Sequence, residues 1–195
     1  GRFQTTVASR GIELLRHVAQ RNTLWGSRRN IRRHYDLSND FFQTFLDDSM
    51  AYSCAVYPSA GATLEAAQQH KFTRLIRKAR LSANDHVLEI GCGWGGFAIA
   101  AVRQTGCRIT GITVSREQYT LARERVKAAG LEDRIRIEFK DYRHVKGQFD
   151  KIVSIEMLEA VGHAFYSIFF RSLERLLAPH LATPGAPETL HRGAV

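Results

Sequence analysis

The sequence predicts an α/β fold: an open, mostly parallel, doubly wound sheet, preceded by helical segments and lacking its C-terminal strands. Three observations carry this expectation. From residue 85 onward, apolar strand-like runs alternate with amphipathic helical runs. A glycine-rich turn, "GCGWGG" at residues 91–96, joins the first such strand to the first such helix. After residue 178 the pattern stops, and "PHLATPGAPETLHRGAV" holds three of the four prolines and no apolar run. It reads as coil where a further buried strand is expected.

Taken in order, residues 1–22 carry a helical pattern around "GIELLRHVAQ". "SNDFFQTFLDD" opens with capping residues and sets Phe41, Phe42, Phe45 and Leu46 on one side of a short helix. Thr63 caps "LEAAQQHKFTRLIRKARL", a long basic amphipathic helix. "HVLEIG" is a buried strand and "GFAIAAVRQTG" a helix. "RITGITVS" is a strand, followed by the helix "REQYTLARERVKAAG", which ends at Gly130. "RIRIEFKD" and "FDKIVSIEM" are strands, and "AFYSIFFRSLERLLA" is a helix. The expected organisation is a basic N-terminal segment (1–33), a ligand-binding core (34–178) and an irregular tail (179–195). A parallel sheet of this kind takes its ligand beyond the carboxyl ends of the strands.

The 195 residues suffice for one domain with a real core, and 44% hydrophobic with 24% charged residues suits a globular chain. No apolar run reaches the length of a membrane span, and the start is not a signal peptide. The three cysteines, Cys54, Cys92 and Cys107, match no metal pattern and suit a reducing cytoplasm. The net charge of +9 is uneven: residues 1–35 hold eight arginines and one acid, Glu13. Arg28, Arg29, Arg32 and Arg33 form a patch that attracts polyanions, either nucleic acid or an anionic lipid surface. A solvated basic face is the plain alternative.

Gly91, Gly93 and Gly95 let the backbone turn tightly beside a ligand. Dinucleotide and methyl-donor folds both use such a turn, and two features separate them. Glu89, just before the first glycine, is placed to hold a charged amino-acid moiety or to order the loop. The second strand ends in "GITVS" and not in the acid that grips an NAD ribose. After the third strand, "FKDY" offers Asp141 to an adenine amino group. Together these favour S-adenosylmethionine over NAD. The motifs of adenine-N6 and RNA cytosine-C5 methyltransferases are absent after the fourth strand. The two glutamates of "SIEMLEAVGH", Glu156 and Glu159, loosely resemble the loop of arginine methyltransferases. Lipid is the remaining acceptor class.

"GSRRNIRRHYDLSNDFFQTFLDDSMAYSCAVY", "LEAAQQHKFTRLIRKARL", "VLEIGCGWGGFA", "GITVSREQ" and "FDKIVSIEMLEAVG" together resemble the cyclopropane-fatty-acyl-phospholipid synthases and mycolic acid cyclopropane synthases. The resemblance covers residues 25–178. It implies the Rossmann-like fold of S-adenosylmethionine-dependent methyltransferases. It also implies a reaction in which the cofactor's methyl is added across a cis double bond of an unsaturated phospholipid acyl chain, and a base removes a proton so that a ring closes. The family's base is a bound bicarbonate ion. Carried over by position, Cys54 of "YSC" and Glu159 of the loop after the fourth strand hold it. That answers why a cysteine stands in "MAYSCAVYP", against the plain reading of a small buried residue. The resemblance further implies that Tyr52 and Ser53 close over the methionine part, and that Gly91 and Gly93 form the turn. Thr113 and Gln118 then serve the ribose and adenine side, while Asp141 and Tyr142 flank the adenine. His34 reads as structural.

The resemblance also implies a peripheral enzyme on the cytoplasmic face of an anionic membrane, with no nucleic-acid partner and with homo-oligomers possible. No metal is implied. The sequence departs from the pattern after "ERLLAP", where a glycine, an apolar strand and a lipid-covering segment are expected. His180 and His191 sit in no matching motif. The expectation is a synthase core truncated at both ends, or frameshifted near residue 180, with impaired activity. Two other readings stand beside it: a methyltransferase of the same fold acting on another lipid or a small molecule, and a non-catalytic remnant.

Overall fold

A computed structural model describes residues 38–179. The helical pattern at 1–22, the arginine patch, His34 and the tail with His180 and His191 lie outside the described residues. The first two elements are helices: α1 (Asn39–Gln43) and α2 (Leu64–Lys78). Each starts at a hydroxyl cap. The Ser38 oxygen accepts from the Phe41 N–H at 3.3 Å, and the Thr63 oxygen accepts from the Ala66 N–H at 3.2 Å. The alternating region follows as β1 (His86–Ile90), α3 (Gly96–Thr105), β2 (Arg108–Thr113), α4 (Arg116–Ala128), β3 (Ile135–Phe139) and β4 (Lys151–Val153). It closes with two short turns of helix around α5 (Leu158–Val161), at Tyr142–His144 before it and His163–Phe165 after it, and then with α6 (Tyr166–Leu176).

The four strands are parallel, in the order β3-β2-β1-β4. The chain therefore winds outward from β1 to β3 and then crosses back, so β1 and β4 flank the point where the winding reverses. Glu89 aligns with Gly111 on one side and Val153 on the other, which sets its carboxylate at the mouth of that crevice. Both faces of the sheet are covered, as parallel sheets require. Val87, Ile109 and Val153 face α2, α3 and α4 with Phe72, Phe97, Ala101 and Val126. Leu88, Ile112 and Ile152 point the other way, onto Phe169, Leu173 and Leu176 of α6. Phe72 and Phe97 meet edge to face at 5.8 Å and tie α2 to α3.

Three elements differ from expectation. The fourth strand, expected over 149–157, pairs only over Lys151–Val153. The Ser154 hydroxyl donates to the Ile90 carbonyl at 3.2 Å, and Glu156 takes a φ of 46°, so the chain turns out of the sheet. The last helix begins at Tyr166 and not at Ala164, behind the short turn at His163–Phe165. On α1 the expected apolar side is split. Phe42 is buried against Trp94, while Phe41 and Phe45 are nearly half exposed, at 47% and 46%. At the outer edge of β4, the chain leaving α6 makes one parallel bridge, Phe149 with Leu177, before the described residues end.

Candidate active site

A single cavity opens at the carboxyl ends of β1, β2 and β4. All nine residues expected around a cofactor line it: Tyr52, Ser53, Glu89, Gly91, Gly93, Thr113, Gln118, Asp141 and Tyr142. The glycine turn leaves β1 with Gly93 at a φ of 53°, a left-handed conformation that glycine adopts freely. A Cβ there would meet nothing within 4 Å, so backbone conformation, and not crowding, is what a side chain at 93 would violate. Crowding falls instead on Gly96, the first residue of α3, where a Cβ would lie 2.4 Å from the Ser49 carbonyl oxygen. That close approach locks the helix start against the segment leading to Tyr52.

Glu89 is a buried acid on the cavity wall. It is 3% exposed, and its Oε2 has no hydrogen-bond partner among the described residues. Burial pushes its pKa up to about 8, so the carboxyl is mostly neutral at pH 7 until a cation arrives to pair with it. Burial likewise pushes the Cys92 thiol well above its ordinary range, which makes this cavity-lining cysteine a poor nucleophile. Asp141 behaves oppositely. Its burial works to raise the pKa, but hydrogen bonds from Arg143 outweigh it and hold the carboxyl low. The Arg143 Nε and Nη2 reach its two oxygens at 2.8 and 2.6 Å, and the Arg143 N–H caps one of them at 3.0 Å. Asp141 is thus a fixed anion at the end of β3, beside Tyr142, whose ring packs edge-on against Phe169 at 5.2 Å. Thr113 donates to Gln118 Oε1 at 2.7 Å, and both are buried. Gln118 is therefore not an exposed helix residue.

Opposite the glycine turn lies the irregular segment 51–54, between α1 and α2. Gln68 Nε2 donates to the carbonyls of Ala51 (3.3 Å) and Ser53 (2.9 Å), and Lys71 Nζ donates to the Ser53 hydroxyl at 2.5 Å. Cys54 is exposed rather than packed in the core, and its N–H donates to Glu156 Oε1 at 2.8 Å. Glu159 lies exposed on α5 and makes no hydrogen bond to Cys54. The carboxylate that the fold brings to Cys54 is Glu156. Sequence reasoning left Gln68 and Lys71 without a role, and gave Glu156 only a loose likeness to an arginine methyltransferase loop. The available signal was two polar residues three apart on the apolar side of α2, where a buried lysine needs a partner. Among the described residues, no cluster of His, Cys, Asp and Glu could hold a metal, and no helix is long and apolar enough to cross a membrane.

Comparison with known proteins decides the family. The model of the mycolic acid cyclopropane synthetase family matches residues 23–181. The chain belongs to this family. Members use S-adenosylmethionine, and the four-stranded parallel core is that of their Rossmann-like fold. A probable fatty acid methyltransferase of Pseudomonas putida is 49% identical over 145 residues, covering 73% of this chain and 37% of the relative. The cyclopropane-fatty-acyl-phospholipid synthase of Escherichia coli is 41% identical over 162 residues, 81% of this chain and 41% of the relative. The mycolic acid cyclopropane synthase CmaA1, complexed with SAH and CTAB, superimposes with a TM-score of 0.74 at 34% identity, covering 77% of this chain and 53% of that one. The chain thus spans well under half the length of these two curated relatives.

Proposed function

We propose that this chain is the cofactor-binding core of an enzyme that adds a methylene group from S-adenosylmethionine across a cis double bond of an unsaturated phospholipid acyl chain. The observation that carries the reading is the cavity at the winding reversal. It gathers the nine expected residues, among them Glu89, whose buried Oε2 has no partner among the described residues. A buried acid in that state fits the cationic end of S-adenosylmethionine, which supplies an electrophilic methyl group when bound. In this reading Asp141 and Tyr142 take the adenine side, and the Thr113–Gln118 pair the ribose side. Tyr52 and Ser53 cover the methionine end and keep water from it.

Cys54 and Glu159 remain the proposed holders of a bicarbonate base in the full-length enzyme. In the described residues the Cys54 N–H donates to Glu156, and Glu159 is exposed on α5. We place the full-length enzyme on the inner, anionic face of a membrane. Arg28, Arg29, Arg32 and Arg33 would contribute about 1 kcal/mol each near such a surface, with no nucleic-acid partner. A second reading, methylation of an acyl chain without ring closure, is favoured by the higher identity to the Pseudomonas putida relative, 49% against 41%. The test incubates the full-length enzyme with labelled S-adenosylmethionine and unsaturated phospholipid vesicles, beside free unsaturated fatty acid. Label in phospholipid, with ring protons by NMR, supports the first reading. A branched product supports the second, and no label in either lipid contradicts both.

A further inference from the structure

We propose that Glu156 is a positioning residue that ties the segment 51–54 down across the cavity, and that its strained backbone is kept for that purpose. Three features of the structure converge on it. The first is the tie itself. Gln68 and Lys71 hold the segment from α2, on the near side. Glu156 holds it from beyond β4, through a hydrogen bond of 2.8 Å between residues 102 apart in sequence. This hydrogen bond reaches the segment from the β4 side of the cavity, opposite the two ties from α2. Ala51, Tyr52 and Ser53 line the cavity directly.

The second feature is conformation. Glu156 sits at a φ of 46°, in the left-handed region that side chains other than glycine occupy only at a cost. A turn out of the sheet at this point needs only glycine. A glutamate there destabilises the fold unless its carboxylate has a task. The third is charge. Lys71 is buried, and burial lowers its pKa, while the nearby charges of Glu156, Cys54 and Asp47 work to keep it protonated. Lys71 and Glu156 thus hold adjacent residues of the same segment, and the Glu156 charge helps to keep Lys71 protonated.

The inference rests on the reading of the cavity as the cofactor site, and its test separates the two. In the full-length enzyme, Glu156→Gly removes the carboxylate and relieves the backbone together, while Glu156→Gln keeps an oxygen acceptor for the Cys54 N–H. Glu156→Gly should raise the Tm of the ligand-free protein, speed amide hydrogen exchange across 51–54 at least tenfold, and weaken S-adenosylhomocysteine binding at least tenfold. Glu156→Gln should weaken that binding less than threefold. Unchanged exchange across 51–54 in Glu156→Gly would overturn the tie, whether or not the cofactor binds. A lower Tm with unchanged affinity would overturn it as well, since it would show an ordinary structural residue. So would recovery of turnover in Glu156→Gly on adding acetate or bicarbonate without recovery of affinity, because the carboxylate would then act in the chemistry and not on the segment. Faster exchange in a protein whose wild type binds no S-adenosylhomocysteine would leave the tie standing and remove the cofactor reading.

Discussion

The two walls of the cavity are built differently. On one side the glycine turn, Thr113, Gln118 and Asp141 stand at the ends of β1, β2 and β3. The Thr113–Gln118 and Asp141–Arg143 pairs are local, the glycine turn is bonded to the Ile112 carbonyl at the end of β2, and a packed sheet stands behind them all. On the other side the segment 51–54 has no regular structure and no sheet behind it; hydrogen bonds with Gln68, Lys71 and Glu156 hold it, and the Tyr52 ring leans on Phe42 and Phe45 at 5.1 and 6.3 Å. The first wall is set by core packing. The second is set largely by polar ties between distant parts of the chain, with ring contacts to α1. A ligand site made this way keeps one half rigid while the other half can release, and local opening in proteins concentrates where apolar contacts are few.

This difference can be broken or sharpened by substitution. The largest effect belongs to the packed wall. Phe97→Ala removes a ring that is 3% exposed and stacked against Phe72. It should cost about 3–5 kcal/mol of stability, read as a shift of the urea midpoint. A loss below about 1 kcal/mol would mean that this wall is not held by its core. Gly93→Val should cost about 1–2 kcal/mol through its left-handed backbone. Since a Cβ at 93 meets nothing, Gly93→Ala should cost nearly as much, whereas a steric origin would make valine far worse. At the other wall, Lys71→Met should change global stability by less than about 1 kcal/mol while weakening S-adenosylhomocysteine binding several-fold. A large stability loss without an affinity change would place Lys71 in the core and not at the site.

The same contrast explains what could be read from the sequence. The strand and helix alternation, the glycine turn, and the caps at Ser38 and Thr63 are local patterns, and the fold follows them closely. Glu89, the glycine turn and Asp141 were legible for the same reason, since a strand end fixes where its next residues lie, while Thr113, Gln118, Tyr52 and Ser53 were named through the family resemblance. The polar ties of the second wall were not legible. Whether Glu156 or Glu159 meets Cys54 depends on where β4 stops. A strand running to residue 157 would have kept Glu156 in the sheet. Its early end rests on the Ser154 bond to Ile90 and on a positive φ at a glutamate, and neither has a signature in residue type. The buried Lys71 was hidden in a helix that reads as a basic amphipathic surface.

Glu89 sits where the two walls meet and gives a pH dependence of its own. Its carboxyl titrates near 8 in the fold and has an ordinary value of 4.5. Between those values the folded state holds the extra proton. Stability of the ligand-free protein should therefore fall as the pH rises from about 4.5 to 8, and level off above that. Thermal melts of Glu89→Gln should lack that slope. A slope of equal size in both proteins would assign it to another group.

The central claim is that the cavity receives the cation of S-adenosylmethionine on the Glu89 carboxylate. Calorimetric titration of S-adenosylmethionine into the full-length enzyme and its Glu89→Gln variant, from pH 6 to 9, tests this most directly. Binding must displace the carboxyl proton, so wild-type affinity should climb with pH and flatten above about 8. Glu89→Gln should bind weakly, with a flat profile and no proton release. Equal affinities and identical profiles in the two proteins would contradict the account.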